Sequence, residues 1–432
     1  MGDKRVAIFQ AEWPVQSQTI NLATTLAEAG YKVELYLFKA WEYVELSNLW
    51  NHKNVHVYSI ETEENGCTHS AHTKGLPPLK SQTKEYLSLM PPCVKTAYIR
   101  IRSFLQSIHA FSLLILKSEG GVLDSPVKHA LESMKGKEYC CLIGVEKKGL
   151  IWAGKVAKQL NIPFVYYSLE LYTNDFQQVF DKSIAFKRLR AIERKYHKAA
   201  FVTIIQDKER AEVLFRDNGL SLSKSTVFYI PVSVVGKPSR KKSWLLYELL
   251  DIPKHQKIIL YFGQIGKTRY SLELAQAAQS FPDNWTLVMH GWGPSSEIEE
   301  IKAIDYRKKV VMSLEMVPSD RIIDVISSAD VGLALYSSTI SNDRLTHLSS
   351  EKMALYAQCG IPFIAFDYPG YRKMAEDGKW GVVIKTVEEL PAAVAKILEA
   401  HGEYRRNANI AFERYYNFAD NATKFIKAIG RF

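Results

Sequence analysis

Residues 327–366 read SSADVGLALYSSTISNDRLTHLSSEKMALYAQCGIPFIAF. Positions 331–336 and 362–366 are short apolar runs of strand length, each bounded by polar residues or glycine. Between them, Ser349 and Ser350 stand where helix caps are favoured. Met353, Ala354, Tyr356 and Ala357 follow at helical spacing, and Cys359-Gly360 ends the pattern. Strand, polar loop, helix, strand is a βαβ unit, which joins two parallel strands through a helix.

The same rhythm extends in both directions. Strands are expected at 258–262, 286–290, 310–312 and 382–384 in this half. In the other half they are expected at 6–9, 33–38, 55–59, 140–145, 164–167, 202–205 and 227–230, with a helix over 19–29 stopped by Gly30. The rhythm lapses over 230–242 (IPVSVVGKPSRKK), where Pro, Gly, Ser and four basic residues predict an exposed linker. The fold class is therefore α/β: two Rossmann-like, doubly wound domains, 1–235 and 243–412, facing a central cleft. A last segment, 413–432, is expected as a helix that packs back toward the first domain. In such sheets ligands gather at the carboxyl ends of the strands.

Composition narrows the partners. The 432 residues are 47% hydrophobic and 24% charged, which excludes disordered and fibrous classes. A net charge of +10 favours anionic partners. Five scattered cysteines suggest neither a disulfide framework nor a thiolate metal site, and they fit a reducing cytoplasm. The start, MGDKRVAIFQAEWP, reads as a first buried strand and not as a signal segment. The stretch 104–116, FLQSIHAFSLLIL, is interrupted by Gln106, Ser107 and His109 and is too short to span a bilayer. No aromatic-basic reading stripe emerges, so nucleic acid is not an expected partner.

Three loops of the second domain carry candidate chemistry. After its first strand comes YFGQIGKTRY, 261–270. A P-loop would need glycine at position 261, which is Tyr261, so the Walker pattern fails. What remains is Gly263, Gln264 and Gly266 with Lys267 and Arg269 near a helix start, a set suited to a diphosphate. The helix that follows Ser349 and Ser350, with Lys352 in its first turn, offers a second anion site. Gly291, Trp292 and Gly293 after another strand give a turn where a nucleobase or ribose can lie. In the first domain, Gln16 and Ser17, then Glu146 and Lys147, then Glu170, follow carboxyl ends of strands and face the expected cleft.

The two-domain frame, the segment RAIERKYHKAAFVTIIQDKERAEVLF, GQIGKTR, HGWGP, and SADVGLALY followed by SSEKMALYAQCGIPFIAF together resemble retaining nucleotide-sugar glycosyltransferases of the GT-B fold, family-four type. The resemblance implies transfer of a sugar from a nucleotide diphosphate sugar to a hydroxyl acceptor, in polysaccharide or glycoconjugate synthesis, with no cofactor and no metal. It implies that Gly263, Arg269, Ser349, Ser350 and Lys352 hold the phosphates, with Arg269 and Lys352 stabilising the departing diphosphate. Glu146, Lys147 and Glu170 are then the acceptor-side candidates. The paired glutamates of that family align with His347 and Leu355, so the carboxylate that would take the ribose is missing. Three alternatives follow: an inverting transferase, a sugar-nucleotide epimerase, or a degenerate paralogue that binds nucleotide sugar without turnover.

The helix expected over 186–198 carries six Lys/Arg against one Glu, and residues 93–117 mix basic and apolar side chains. Both suit peripheral contact with an acidic membrane and a lipid-linked acceptor.

Overall fold

Val6 and Ile8 pack on one face of a sheet, and Ala7 and Phe9 pack on the other. Ile258 and Leu260 are divided from Ile259 and Tyr261 in the same way. Burial on both faces is what helices on both sides of a parallel sheet require, and it explains why these strands read as unbroken apolar runs. The computed structural model describes residues 4–11, 15–38, 52–60, 121–315 and 317–431. The stretches 93–117 and 104–116 singled out above lie outside the described residues, as do Trp13 and Pro14.

The first sheet contains β1 (Arg5–Gln10), β2 (Lys32–Phe38), β3 (Val55–Ile60), β4 (Tyr139–Val145), β5 (Phe164–Tyr167), β6 (Val202–Ile205) and β7 (Val227–Tyr229). Its strand order is β3-β2-β1-β4-β5-β6-β7. The second contains β8 (Lys257–Gln264), β9 (Trp285–Trp292), β10 (Val310–Ser313), β11 (Val331–Ala334), β12 (Phe363–Phe366) and β13 (Gly381–Ile384), in the order β10-β9-β8-β11-β12-β13. Every strand pair is parallel. The order reverses at β1/β4 and at β8/β11, which are the crevices where doubly wound sheets take ligands.

The segment 230–242 is exposed over most of its second half, from Val235 to Lys241, but its first part differs from the linker its composition suggests: Ile230, Val232, Ser233 and Val234 are buried. Gln18 holds Ser233 from both sides, donating to its carbonyl at 2.8 Å and accepting from its N–H at 3.0 Å. The Val232 N–H reaches the Leu348 carbonyl, and the Val234 N–H reaches that of Tyr416. Backbone polar groups here are paired with both domains, so the crossing segment is part of the structure that sets the domains against each other.

The final helix, Phe418–Ile429, returns to the first domain. Phe418, Ala422, Phe425 and Ile429, spaced for one face, join the core built on Val6, Ile8 and Val33. Among the described residues, no helix is long and apolar enough to cross a membrane.

Candidate functional site

At the β8/β11 crevice two loops meet. Strands β8 and β9 stay in register to their ends, with Gly263 opposite Gly291 and Gln264 opposite Trp292. Gly263 has φ +130° and Gly291 φ +153°, both outside the range of ordinary side-chain-bearing residues. A Cβ on Gly291 would stand 1.8 Å from the Gly263 carbonyl oxygen, and one on Gly293 would stand 2.4 Å from that of Ile265. The Ile265 N–H donates to the Trp292 carbonyl at 2.7 Å, and the Tyr261 hydroxyl donates to the Gln264 carbonyl. The Trp292 side chain stays exposed beside this junction.

The next residues, Lys267–Arg269, form one 3-10 turn, and Tyr270 at φ +58° redirects the chain into the helix Ser271–Ala278. This turn separates the two cations expected to share a diphosphate. The ammonium of Lys267 pairs with Glu300 at 3.7 Å, and its N–H donates to Glu297 at 2.7 Å, close to where a side chain at Gly266 would collide. Arg269 instead donates to Asp343 at 3.0 Å and lies 5.5 Å from the Tyr336 ring centre. Lys267 is thus engaged by the neighbouring helix, and Arg269 is the cation this turn delivers to the crevice.

The second loop leads into the helix Glu351–Cys359, stopped by Gly360 at φ +65°. Ser350 holds the N-cap position, but neither serine caps the helix with its side chain. The Ser350 hydroxyl pairs with that of Tyr336 at 2.6 Å, and Ser349 donates to the Leu345 carbonyl at 3.1 Å. The helix start is therefore left with no side chain on its first amides, which remain able to receive an anion. Lys352 sits beside them, 5.0 Å from the Tyr336 ring centre, 5.3 Å from that of Tyr261, and 3.5 Å from where a Cβ on Gly263 would lie. Burial, reinforced by the charge of Arg269 and opposed by Asp343, pushes its ammonium down to about 7. Arg269 is offset by Asp343, whereas the shift of Lys352 shows that this position disfavours its charged form; a negatively charged group placed here would reverse that.

His347 does not reach this pocket. It is buried beneath Gly370, where a Cβ would meet its ring at 2.2 Å, and burial pushes its imidazole down to about 4. Leu355 belongs to the core. Glu351 faces the first domain: burial raises its carboxyl and a hydrogen bond from Ser17 opposes that. Gln16, at the start of the helix Ser17–Glu28, ties its N–H to Gln10 at 3.3 Å.

Glu146 opens the helix Glu146–Leu160 with φ +59°, a strained value for a residue with a side chain. Glycines on either side allow the sharp elbow, since a Cβ on Gly144 would meet Leu150 at 2.4 Å and one on Gly149 the Phe9 carbonyl at 2.3 Å. Its carboxylate is buried and accepts the N–H groups of Leu169 and Glu170 at 2.7 and 2.8 Å. Lys147 is buried as well, over the Tyr172 ring. Glu170 accepts from the side-chain amide of Asn342 at 2.7 Å, across the cleft. These first-domain groups build the cleft wall and hold its loops.

Several residues in this arrangement carried no signal in the sequence. Tyr336 ends an apolar run. Asp343 and Asn342 lie in a polar loop with no recurring spacing, and Arg210 sits on an ordinary helix of the first domain. Arg210 and Asn342 meet across more than a hundred residues of chain, and Asp343 meets Arg269 across more than seventy.

The two-domain fold is shared with known glycosyltransferases. The sucrose-phosphate synthase from Thermosynechococcus elongatus aligns over 99% of this chain and 98% of its own, with TM-score 0.63 and 14% identity. The Anabaena protein HepE, solved in complex with UDP, aligns over 99% and 100% with TM-score 0.64 and 12% identity. These likenesses show the fold, two Rossmann-like domains of the GT-B type. In sequence, the chain is 21% identical over 245 residues to the chitobiosyldiphosphodolichol beta-mannosyltransferase of Candida albicans, a match covering 54% of this chain and 51% of that protein. The chain thus spans about half the length of that relative. The family model described as glycosyl transferases, group 1, matches residues 247–414, the domain that carries Arg269 and Lys352.

Proposed function

We propose that this protein transfers a sugar from a nucleotide diphosphate sugar to a hydroxyl acceptor. The observation that carries the reading is the joint enclosure of Arg269, Lys352 and an uncapped helix start at the β8/β11 crevice. As the glycosidic bond breaks, charge grows on the leaving diphosphate, and fixed cations and helix amides meet it without reorganising. Transfer proceeds with retention: the acceptor hydroxyl attacks on the face the diphosphate leaves, and its proton passes to the departing phosphate. The charge is supplied by the protein, so the reaction runs without a divalent ion.

An inverting reading has one observation in its favour. Glu351 is a solvent-accessible carboxylate hydrogen-bonded to Ser17 of the first domain, so it borders the cleft from which a general base would act. Proton coupling constants of the product's anomeric centre separate the two.

The experiment that tests the transferase reading is a thermal-shift panel of UDP, GDP, ADP and CMP sugars in buffer containing EDTA, followed by assay of the binders for transfer or slow hydrolysis. A ligand present at a hundred times its Kd stabilises the folded state by about 2.7 kcal/mol, enough for a measurable shift. No shift with any member sinks the reading. Binding with no turnover establishes the degenerate alternative.

The acceptor is proposed to be lipid-linked, met at an acidic membrane surface. Val179, Phe180 and Ile184 are exposed apolar side chains beside the helix Ile184–Ala199, whose solvent side carries Lys187 and Arg188, with Lys182 just before it. Arg190 does not contribute, because it is buried and paired with Glu193. Basic residues near anionic lipid are worth about 1 kcal/mol each, so Lys187→Glu with Arg188→Glu should lower partition onto phosphatidylglycerol vesicles by about tenfold or more. Co-flotation equal to wild type would remove this surface from the membrane reading.

A further inference from the structure

The segment Ser341–Arg344 belongs to the second domain, yet Ser341 and Asn342 direct their polar groups to the first. The Asn342 side chain makes three hydrogen bonds across the cleft. Its oxygen accepts from the Leu171 N–H at 2.8 Å and from the Arg210 guanidinium at 3.0 Å, and its amide donates to Glu170 at 2.7 Å. Ser341 donates twice to Asp175, from its N–H and its hydroxyl, each at 2.7 Å, and Arg344 lies 3.6 Å from the same carboxylate. Arg210, almost wholly buried, also reaches the Leu345 carbonyl at 3.1 Å while holding the first domain's Leu169 carbonyl at 2.8 Å and Gln206 at 2.6 Å. A buried guanidinium needs its donors paired, and here part of that pairing comes from the opposite domain.

The residue after Asn342 is Asp343, the carboxylate that holds Arg269 in the diphosphate pocket. On the other side, the loop that meets Asn342 is itself pinned by the Glu146 carboxylate through the N–H groups of Leu169 and Glu170. We propose that Asn342 is a positioning residue that latches the domains together and thereby fixes Asp343 and Arg269 in their anion-binding geometry, so that diphosphate affinity depends on cleft closure. The path runs from the strained elbow at Glu146, through the loop over Leu169–Leu171, to Asn342, Asp343 and Arg269. Each step is a hydrogen bond or a neighbouring peptide, and each crosses or borders the cleft. The ligand part of this inference rests on the transferase reading, whereas the latch itself does not.

Two variants test it. Asn342→Ala removes three interdomain bonds, and Asn342→Asp replaces the amide that faces Glu170 with a third carboxylate beside Glu170 and Asp175. Small-angle scattering of the unliganded proteins reads closure without reference to activity. The expected result is a larger radius of gyration in both variants, with thermal unfolding close to wild type because each domain keeps its own core. UDP affinity, or that of whichever of UDP, GDP, ADP or CMP binds the wild type, should fall by about tenfold, which is 1.4 kcal/mol. Saturating nucleotide should return the scattering curve toward wild type. Unchanged scattering and affinity in both variants would overturn the proposal, as would a uniform loss of thermal stability without a change in radius, which marks a merely structural residue. If wild type binds no nucleotide, the transferase reading falls and the scattering result alone decides the latch.

Discussion

Lys352→Ala should weaken binding of the nucleotide sugar by two to three orders of magnitude, and the wild-type affinity should itself fall as the pH rises through neutrality. The first expectation follows from position: Lys352 is a partly buried cation that a bound diphosphate would pair with, and removing one partner of a hydrogen-bonded charge pair that the ligand buries costs roughly 2–5 kcal/mol. The second follows from the sign of the shift. The ammonium of Lys352 is pushed from its ordinary 10.5 down to about 7, so it is charged in the empty pocket only below that pH. A diphosphate favours the charged form, so binding above pH 7 must take up a proton, and affinity declines by up to about tenfold per pH unit. An intact nucleotide sugar is the right probe because its diphosphate diester keeps its charge throughout this range. Calorimetry in buffers of different ionisation enthalpy should show proton uptake at pH 8 for wild type and none for Lys352→Ala.

The neighbouring cation sharpens that prediction. Arg269→Ala should also weaken binding, by removing one cation and leaving Asp343 without its partner beside the phosphates. It should at the same time move the pH midpoint upward, because the charge of Arg269 lowers the Lys352 pKa and that of Asp343 raises it. The unliganded fold responds with the opposite sign. An ammonium whose folded pKa lies below its unfolded one is a burden while charged in both states, so this contribution to stability improves as the pH rises from about 7 toward 10.5. A flat affinity profile across pH 6 to 9 would remove Lys352 from the diphosphate site.

Why the sequence points to Arg269 and Lys352 as anion-site candidates but not to Asp343 and Asn342 beside them is a matter of where each partner lies. The strands at Phe164–Tyr167 and Val202–Ile205 have the bounds their apolar runs suggest, because a strand covered on both faces is largely apolar along its length, and the one hydroxyl of the second, Thr203, is paired with His197. Arg269 and Lys352 follow from a local rule, that cations near glycine turns and helix starts suit anions. The same rule selects Lys267 equally well. What separates Lys267 from Arg269 is the one-turn geometry ending at Tyr270, together with Glu297 and Glu300 about thirty residues on, and neither is local. The serines illustrate the limit again: Ser350 sits at the N-cap position, as its type suggests, yet its hydroxyl is taken by Tyr336 from the preceding strand end. The linker reading covers only part of its segment for a related reason. Residues 235–237 and 239–241 are exposed, but composition reports what a segment can tolerate, and Ser233 is buried because Gln18 and Asn421, from the two ends of the chain, bond to it.

Gly291→Ala should be among the most damaging single-methyl changes in the second domain. Its Cβ would lie 1.8 Å from the Gly263 carbonyl oxygen, and both atoms belong to backbone at the paired ends of β8 and β9, so no side chain can swing aside. The φ of +153° adds conformational cost for any residue with a Cβ. Strand ends that must part by more than an ångström forfeit their ladder bonds and local packing, a loss on the order of 3 kcal/mol. The functional effect should exceed what stability alone accounts for. The Lys352 ammonium lies 3.5 Å from where a Cβ on Gly263 would stand, and a displacement of about 1 Å in a positioned charge is enough to cost about a hundredfold in a reaction that depends on alignment. Gly219→Ala supplies the comparison: its φ of +67° also disfavours alanine, but nothing lies within 4 Å of the added methyl. That variant should lose about 1–2 kcal/mol of stability and keep wild-type affinity for the nucleotide sugar. Chemical denaturation and calorimetry on the two proteins give the comparison directly. If Gly291→Ala binds as tightly as Gly219→Ala, the close approach of β8 and β9 does not position the diphosphate pocket.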